Sequence, residues 1–209
     1  RDPETGQPVV DLILDRAGQK GTGQWTLINA AENAVVVSTI NAAVEARVLS
    51  SMKAARVAAS AVLHGPKAAL AGDRAALVAR VHDALYASKV VSYAQGLDLM
   101  RTVGQKKGWG LDLAGIASIW RGGCIIRARF LNRISQAWRA DPELPHLMRA
   151  PYFVDLLNRS QQAWRETVAL AVNHGIAVPA MGASLAYYDS YRSARLPANL
   201  LQAQRDFFG

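Results

Sequence analysis

The stretch DRAALVARVHDALYASKVVSYAQGLDLMRTVGQKK, residues 73–107, decides the fold class of this chain. Its apolar side chains recur at helical spacing, at positions 77, 78, 81, 85, 90, 91, 94, 97 and 100. This pattern predicts a helix of roughly eight or more turns. A helix of that length usually crosses the centre of a bundle or a dimer interface. We expect Gly96 and Gly104 to mark points where another segment approaches this helix closely.

The rest of the chain also shows the helical period. Further helices are predicted around 24–33, 40–63, 113–121, 124–140, 151–173, 181–195 and 198–208, with a short helix at 9–16 and an extended segment at 35–37. No segment sustains the period-two alternation of a half-buried strand. We therefore predict an all-α fold, a large multi-helix bundle that occupies residues 1–209 as a single domain.

The charge balance indicates an affinity for anions without identifying them. The 209 residues include 24 Lys and Arg against 16 Asp and Glu, a formal net charge of +8. Nucleic acid, an anionic membrane surface and small polyanions such as sugar phosphates are all compatible with that charge. No apolar run approaches the ~20 residues of a membrane span, and no RRM, zinc-knuckle or basic-arm motif occurs. The composition alone leaves the partner open.

Residues suited to metal binding are sparse. Cys124 is the only cysteine, which excludes an intramolecular disulfide. We expect it to be a small core residue in a reducing compartment, by default the cytoplasm. The four histidines, His64, His82, His146 and His174, lack the close pairing of zinc sites and are predicted to be surface or helix-capping residues. No metal site is predicted.

Five arginines form the densest basic region of the chain: Arg121, Arg127, Arg129, Arg133 and Arg139. Because they accompany an apolar stripe in a predicted helix, a solvated helix face explains them. A patch that faces a ligand or another subunit is the alternative.

The stretch AGQKGTGQW, residues 17–25, is the strongest local candidate for a binding site. Lys20 and Thr22 stand among three glycines, and a predicted helix follows directly. Exposed N–H groups and the helix dipole favour negative charge at such a position, so the stretch is a possible anion cradle. It matches neither a Walker loop nor a dinucleotide fingerprint. Spacing alone favours a structural turn with a helix cap.

Five collinear motifs together resemble the 6-phosphogluconate dehydrogenase family. They are AGQKGTGQW at 17–25, ARVLSS at 46–51, ALYASKVVSYAQG at 84–96, WRGGCIIR at 120–127 and LPANLLQAQRDFFG at 196–209. Their order is that of the family, and they cover nearly the whole chain. The resemblance implies the large all-α C-terminal domain of that enzyme, which supplies much of the sugar-phosphate site and a homodimer interface.

The family oxidises and decarboxylates 6-phosphogluconate with NADP, giving ribulose 5-phosphate, CO2 and NADPH. The resemblance implies that NADP is bound mainly by an N-terminal Rossmann domain, outside these residues, and that the catalytic lysine and glutamate also lie outside them. We therefore expect no catalytic residue here and no turnover by this chain alone. The expected partners are 6-phosphogluconate and a second copy of the chain, rather than nucleic acid or a membrane.

Four residues match family contacts to the substrate. Lys20 and Thr22 match phosphate contacts, and Arg47 matches a phosphate-binding arginine, whose guanidinium fork suits that ligand. Arg205 matches an arginine of the tail, from about residue 196, that reaches into the neighbouring subunit's site. The chain departs from the family at Gln24, where lysine is common, and at Ala42 and Glu45, where AAVEAR replaces EAVFAR. A basic helical module that binds nucleic acid, or a domain that serves only in dimerisation, are the alternatives.

Overall fold

The computed structural model describes residues 1–67, 69–70 and 72–209, and these residues are helical and irregular, without a strand. The helices are α1 (Val9–Leu12), α2 (Thr22–Glu32), α3 (Ser38–Ser51), α4 (Lys53–Ser60), α5 (Arg74–Lys107), α6 (Leu113–Ile119), α7 (Leu131–Ala140), α8 (Pro151–Asn173), α9 (Pro179–Arg192) and α10 (Ala198–Phe208). A single 3₁₀ turn, Leu147–Arg149, precedes α8. The predicted all-α class is confirmed.

Helix α5 is the element around which the core of the bundle packs. A side-chain oxygen of Asp73 accepts the N–H of Ala75 at the start of the helix, and Gly108 ends it in the left-handed conformation (φ +65°). Its middle and C-terminal turns are buried against α8, α9 and α3. Arg80 pairs with Glu166 at 3.3 Å, and the hydroxyls of Tyr86 and Tyr152 lie 3.3 Å apart, so α5 and α8 run antiparallel.

Two groups of apolar side chains meet on α5. The larger joins α5 to the helices α6 to α9, with Phe153, Leu156 and Trp164 fully buried. The smaller consists of Ala30, Val37, Leu99 and Val103. It holds the end of α2 and the start of α3 on the C-terminal half of α5, and thereby positions the elements of the candidate site described below.

Of the two glycines in α5, only Gly104 lies at a close approach. A Cβ built on Gly104 would meet Leu111 Cδ1 at 2.8 Å, whereas one on Gly96 would meet Ile40 Cδ1 at an ordinary 3.9 Å. The prediction is thus confirmed for Gly104 and wrong for Gly96.

The helix predicted over 40–63 is divided at Met52. Met52 has a ψ of 43° and separates α3 from α4. Next to this break, the carbonyl of Ser50 accepts a hydrogen bond from Arg56 Nη2 at 3.1 Å. A side-chain donor therefore satisfies one of the carbonyls that the end of α3 leaves without an intrahelical partner.

The helix predicted from Cys124 begins only at Leu131. Gly123 takes a left-handed φ of +67°, and Tyr93 Oη donates to the carbonyl of Ile126, so that residues 124–130 are not helical. The five arginines consequently do not share one helix face. Cys124 lies in this connection and is partly exposed, so its predicted core position is also wrong.

His146 is a capping residue, as predicted, but it is buried rather than on the surface. Its Nδ1 accepts the N–H of Met148 at 3.3 Å, and its Nε2 lies 3.0 Å from Tyr187 Oη. Burial lowers the pKa of His146 below its usual value. Among the described helices, none has both the length and the apolar composition that a membrane crossing requires.

Candidate anion-binding site

The glycine-rich stretch forms the entry to α2. Gly21 is the N-cap, with a left-handed φ of +91° that favours glycine, and its carbonyl accepts the N–H of Trp25 at 2.9 Å. No side chain of the described chain caps this end of α2. The first N–H groups of α2, beginning at Thr22, therefore keep their hydrogen-bonding capacity, and the helix dipole adds partial positive charge there.

The same stretch lies along one face of α3. A Cβ built on Gly23 would meet Val44 Cγ2 at 2.6 Å, so glycine permits this approach of α2 to α3. The N–H of Ala17 donates to Ser50 Oγ at 2.9 Å, and the Ser50 hydroxyl donates to the carbonyl of Arg47 at 2.8 Å. Positions 44, 47 and 50 follow each other at a spacing of three and share a helix face. Arg47 is thus on the face of α3 that meets the glycine-rich stretch.

Helix α3 is itself anchored on α5 through a buried amide. Gln95 is fully buried; its Oε1 accepts the N–H of Thr39 at 3.0 Å and its Nε2 donates to Ser38 Oγ at 3.2 Å. The N-cap residue Val37 has no side-chain acceptor, so Gln95 supplies one from across the bundle. The anchor holds the start of the helix that carries Arg47.

Lys20, Thr22 and Arg47 are exposed. Neither basic side chain forms an ion pair with a carboxylate of the described residues. The carboxylate nearest to Lys20 along the chain, that of Asp15, is held by Lys53 and Arg56, whose hydrogen bonds lower its pKa to about 2. The carboxylate nearest to Arg47, that of Glu45, accepts a hydrogen bond from Asn41 Nδ2 at 2.9 Å. The cationic groups of the stretch are therefore available to an external anion.

Among the described residues, Arg205 forms no hydrogen bond or ion pair with these three residues. It belongs to α10, in which no residue is buried, and the side-chain hydrogen bond of Gln202 to Asp206 remains within the helix. The large apolar side chains of α10, Leu200, Leu201, Phe207 and Phe208, are all exposed. Contacts within one chain thus bring the stretch that contains Lys20 and Thr22 against α3, the helix of Arg47. No such contact joins Arg205 to this stretch or to α3.

Two cavities of the bundle lie elsewhere. One of about 520 Å³ is lined by Arg101, Trp138 and Glu143, among others, and one of about 790 Å³ includes Val36 and Tyr187. Lys20, Thr22 and Arg47 line neither, and the described residues include no group of three His, Cys, Asp or Glu side chains that could hold a metal ion. Within this chain the candidate site is an open surface that suits an anion.

Sequence reasoning missed the residues that hold this surface together: Asp15, Ser50, Arg56 and Gln95. Ser50 binds a residue 33 positions away in sequence, Gln95 one 56 positions away and Arg56 one 41 positions away. Ser50 does lie within the motif ARVLSS, but the motif assigns no partner to it.

Comparison with known proteins gives a consistent result along the whole chain. The family model described as 6-phosphogluconate dehydrogenase, C-terminal domain, matches residues 1–209. A 6-phosphogluconate dehydrogenase, decarboxylating, of Synechococcus elongatus is 56% identical over 209 residues, which are 100% of this chain and 44% of that protein. The Schizosaccharomyces pombe enzyme of the same name is 53% identical over 206 residues, 99% of this chain and 42% of its own length. The chain thus spans less than half the length of these relatives.

A solved structure agrees with the sequence matches. Plasmodium falciparum 6-phosphogluconate dehydrogenase, studied in its apo form and in complexes with its cofactor NADP+ and its substrate 6-phosphogluconate, superposes with a TM-score of 0.91 at 40% identity. The match covers 98% of this chain and 44% of that one. Both fold and sequence therefore match the same part of the same enzyme.

Proposed function

Because the chain belongs to the 6-phosphogluconate dehydrogenase family, as its C-terminal domain, we propose that it binds the phosphate of 6-phosphogluconate for an NADP-dependent oxidative decarboxylation. The products would be ribulose 5-phosphate, CO2 and NADPH, in the cytoplasmic pentose phosphate pathway and in gluconate utilization. The single observation that carries the proposal is the placement of the glycine-rich stretch along the face of α3 that holds Arg47.

Each proposed contact has its own chemistry. Lys20 supplies a compact positive charge, Thr22 a hydroxyl and the start of a helix, and Arg47 a planar fork that matches two phosphate oxygens. Backbone N–H groups at the start of α2 complete the cradle. The described residues contain no strand and hence no Rossmann sheet, so NADP would be bound mainly by another part of the enzyme, which would also supply the catalytic base and acid. We accordingly expect no turnover from this chain alone.

We test the phosphate site by calorimetric titration of this chain with 6-phosphogluconate and with gluconate. Saturable binding is expected for 6-phosphogluconate, with competition by inorganic phosphate, because the contacts are all to the phosphate group. Gluconate, which lacks that group, serves as the matched control and is expected not to bind measurably. Equal binding of both sugars, or tight and salt-sensitive binding of duplex DNA instead, would count against the proposal.

We further propose that a second copy of the chain completes the site through α10. This helix exposes Phe207 to 84% and Leu200 to 71%, an unburied apolar surface that a partner would cover. Arg205 lies on the same helix and would approach Lys20 and Arg47 of the partner molecule. A dianionic phosphate would then offset the repulsion among the three cations.

Light scattering at micromolar concentration is expected to give twice the chain mass of 22.5 kDa. Replacing Leu200 and Phe207 together by serine should shift the mass towards the monomer, since these side chains form much of the exposed apolar surface of α10. The control variant Gln202→Ser changes the same helix on the face opposite to that surface. A monomer mass at all concentrations, or a dimer mass that the double substitution leaves unchanged, would refute this role of α10.

A further inference from the structure

Residues 13–21 connect the short helix α1 to α2 and carry Lys20 on an exposed backbone. With Gly18 and Gly21 in it, such a connection has many accessible conformations, and a phosphate can be bound tightly only if the ordering cost is met beforehand. The contacts that hold this segment begin five residues before Lys20, at Asp15.

Three hydrogen bonds from two basic residues converge on Asp15. Lys53 Nζ donates to Asp15 Oδ1 at 2.5 Å, Arg56 Nη1 donates to Oδ2 at 2.9 Å, and Arg56 Nη2 donates to the backbone carbonyl of Asp15 at 3.0 Å. The guanidinium thus binds both the side chain and the main chain of one residue. An isolated exposed ion pair contributes little to stability, but a forked network of this kind also fixes geometry.

The same guanidinium also reaches the helix that holds Arg47. Arg56 Nη2 donates to the carbonyl of Ser50 at 3.1 Å, and Ser50 Oγ accepts the N–H of Ala17 at 2.9 Å. The break at Met52 turns α4 so that Lys53 and Arg56 face Asp15. Asp15 is consequently tied to α4, whose Arg56 also binds Ser50. Ala17 is tied directly to Ser50 at the end of α3, one turn from Arg47.

We propose that Asp15, Lys53 and Arg56 form a positioning clamp, which orders the glycine-rich stretch against α3 so that Lys20 and Thr22 meet the same anion as Arg47. The clamp rests on the proposed phosphate site and adds residues to it that need not touch the ligand. Asp15 has a particular position in this scheme. Its negative charge by itself opposes an anion nearby, while its clamp contacts favour the bound geometry.

The substitution Asp15→Asn separates these two effects because they have opposite signs. It keeps the size of the side chain but removes the charge that both Lys53 and Arg56 bind. A purely electrostatic role predicts tighter binding of anions by the less negative variant. The clamp predicts weaker binding of inorganic phosphate and 6-phosphogluconate, by about three- to tenfold. The matched control is Asp11→Asn, which removes the same charge from the adjoining helix α1, at a residue whose side chain bonds to no other described residue.

Calorimetric titration of the chain with each ligand measures this effect, and a thermal melt checks that the variants remain folded. Arg56→Ala is expected to weaken anion binding as Asp15→Asn does. Arg56→Lys is expected to weaken it less than Arg56→Ala, because lysine keeps the charge but can form fewer of the three hydrogen bonds that Arg56 donates to Asp15 and Ser50. Binding by Asp15→Asn that equals or exceeds that of Asp11→Asn would overturn the proposal.

A second measurement tests the clamp without a ligand. Amide ¹⁵N relaxation of Gly18 and Gly21 is expected to show lower order parameters in Asp15→Asn than in the unchanged chain, while Gly104, buried in α5, serves as the internal reference. Unchanged order at Gly18 and Gly21 contradicts the clamp. If order falls but Arg47→Ala leaves phosphate binding intact, the clamp stands and the proposed phosphate site fails, so that the two failures are distinguishable.

Discussion

Replacing Arg47 by alanine is expected to weaken the binding of 6-phosphogluconate to this chain by about ten- to a hundredfold. The loss is large because a phosphate dianion must exchange its hydration shell for several charged donors, and a guanidinium provides two parallel ones. Arg47 lies on the face of α3 beside the glycine-rich stretch, with no described carboxylate paired to it. Calorimetric titration of the variant measures the change directly.

The matched control for this variant is Arg74→Ala. Arg74 is also an exposed arginine, but it is the first residue of α5, 21 positions before Gln95, where α5 anchors α3. At a rise of about 1.5 Å per residue, this places it roughly 30 Å along the helix from that anchor. The control removes the same net charge, and its binding should change less than twofold. Equal weakening in both variants would show that Arg47 acts through net charge alone.

Replacing Trp164 by alanine is expected to lower the free energy of unfolding by about 3–5 kcal/mol. Trp164 is fully buried in α8, its ring lies 5.8 Å from that of Tyr188 in α9, and its Nε1–H donates to the carbonyl of Met181 at 3.3 Å. The change removes these contacts and leaves a cavity. A chain of this size should lose roughly 6–20 °C in melting temperature.

Trp109 provides the control for this substitution. It is 60% exposed, so that Trp109→Ala removes the same side chain from the surface and should change stability by less than about 1 kcal/mol. Urea unfolding monitored by circular dichroism measures both variants. Similar losses at the two positions would mean that the packing between α8 and α9 does not dominate the core.

The long helices could be predicted because their signals are local. Asp73 and Gly108 bound α5, and Pro151 and Gly175 bound α8, at positions where side-chain capping, a fixed φ or a left-handed residue determines the end. The break at Met52 and the late start of α7 were not predicted. The first lies beside a bond from Arg56 to Ser50, and the second beside one from Tyr93 to Ile126, both of which arise only in the folded chain.

In the candidate site, too, the local signals could be predicted and the contacts between distant residues could not. Lys20, Thr22, Arg47 and Arg205 follow from residue type and from resemblance, and their contacts to phosphate stay a prediction. Spacing alone favoured a structural turn at residues 17–25, and the structural role is real, since Gly21 caps α2 and Gly23 lets Val44 approach. What the sequence could not indicate is the support from Gln95, whose buried amide caps a helix 56 residues away.

The most direct test of the central claim is a crystal structure of this chain with 6-phosphogluconate. We predict a phosphate within hydrogen-bonding distance of Lys20 Nζ, the Thr22 hydroxyl and the Arg47 guanidinium of one molecule, and of Arg205 from the partner molecule. A phosphate bound elsewhere on the bundle, or Lys20 and Arg47 too far apart to share one phosphate, would contradict the account.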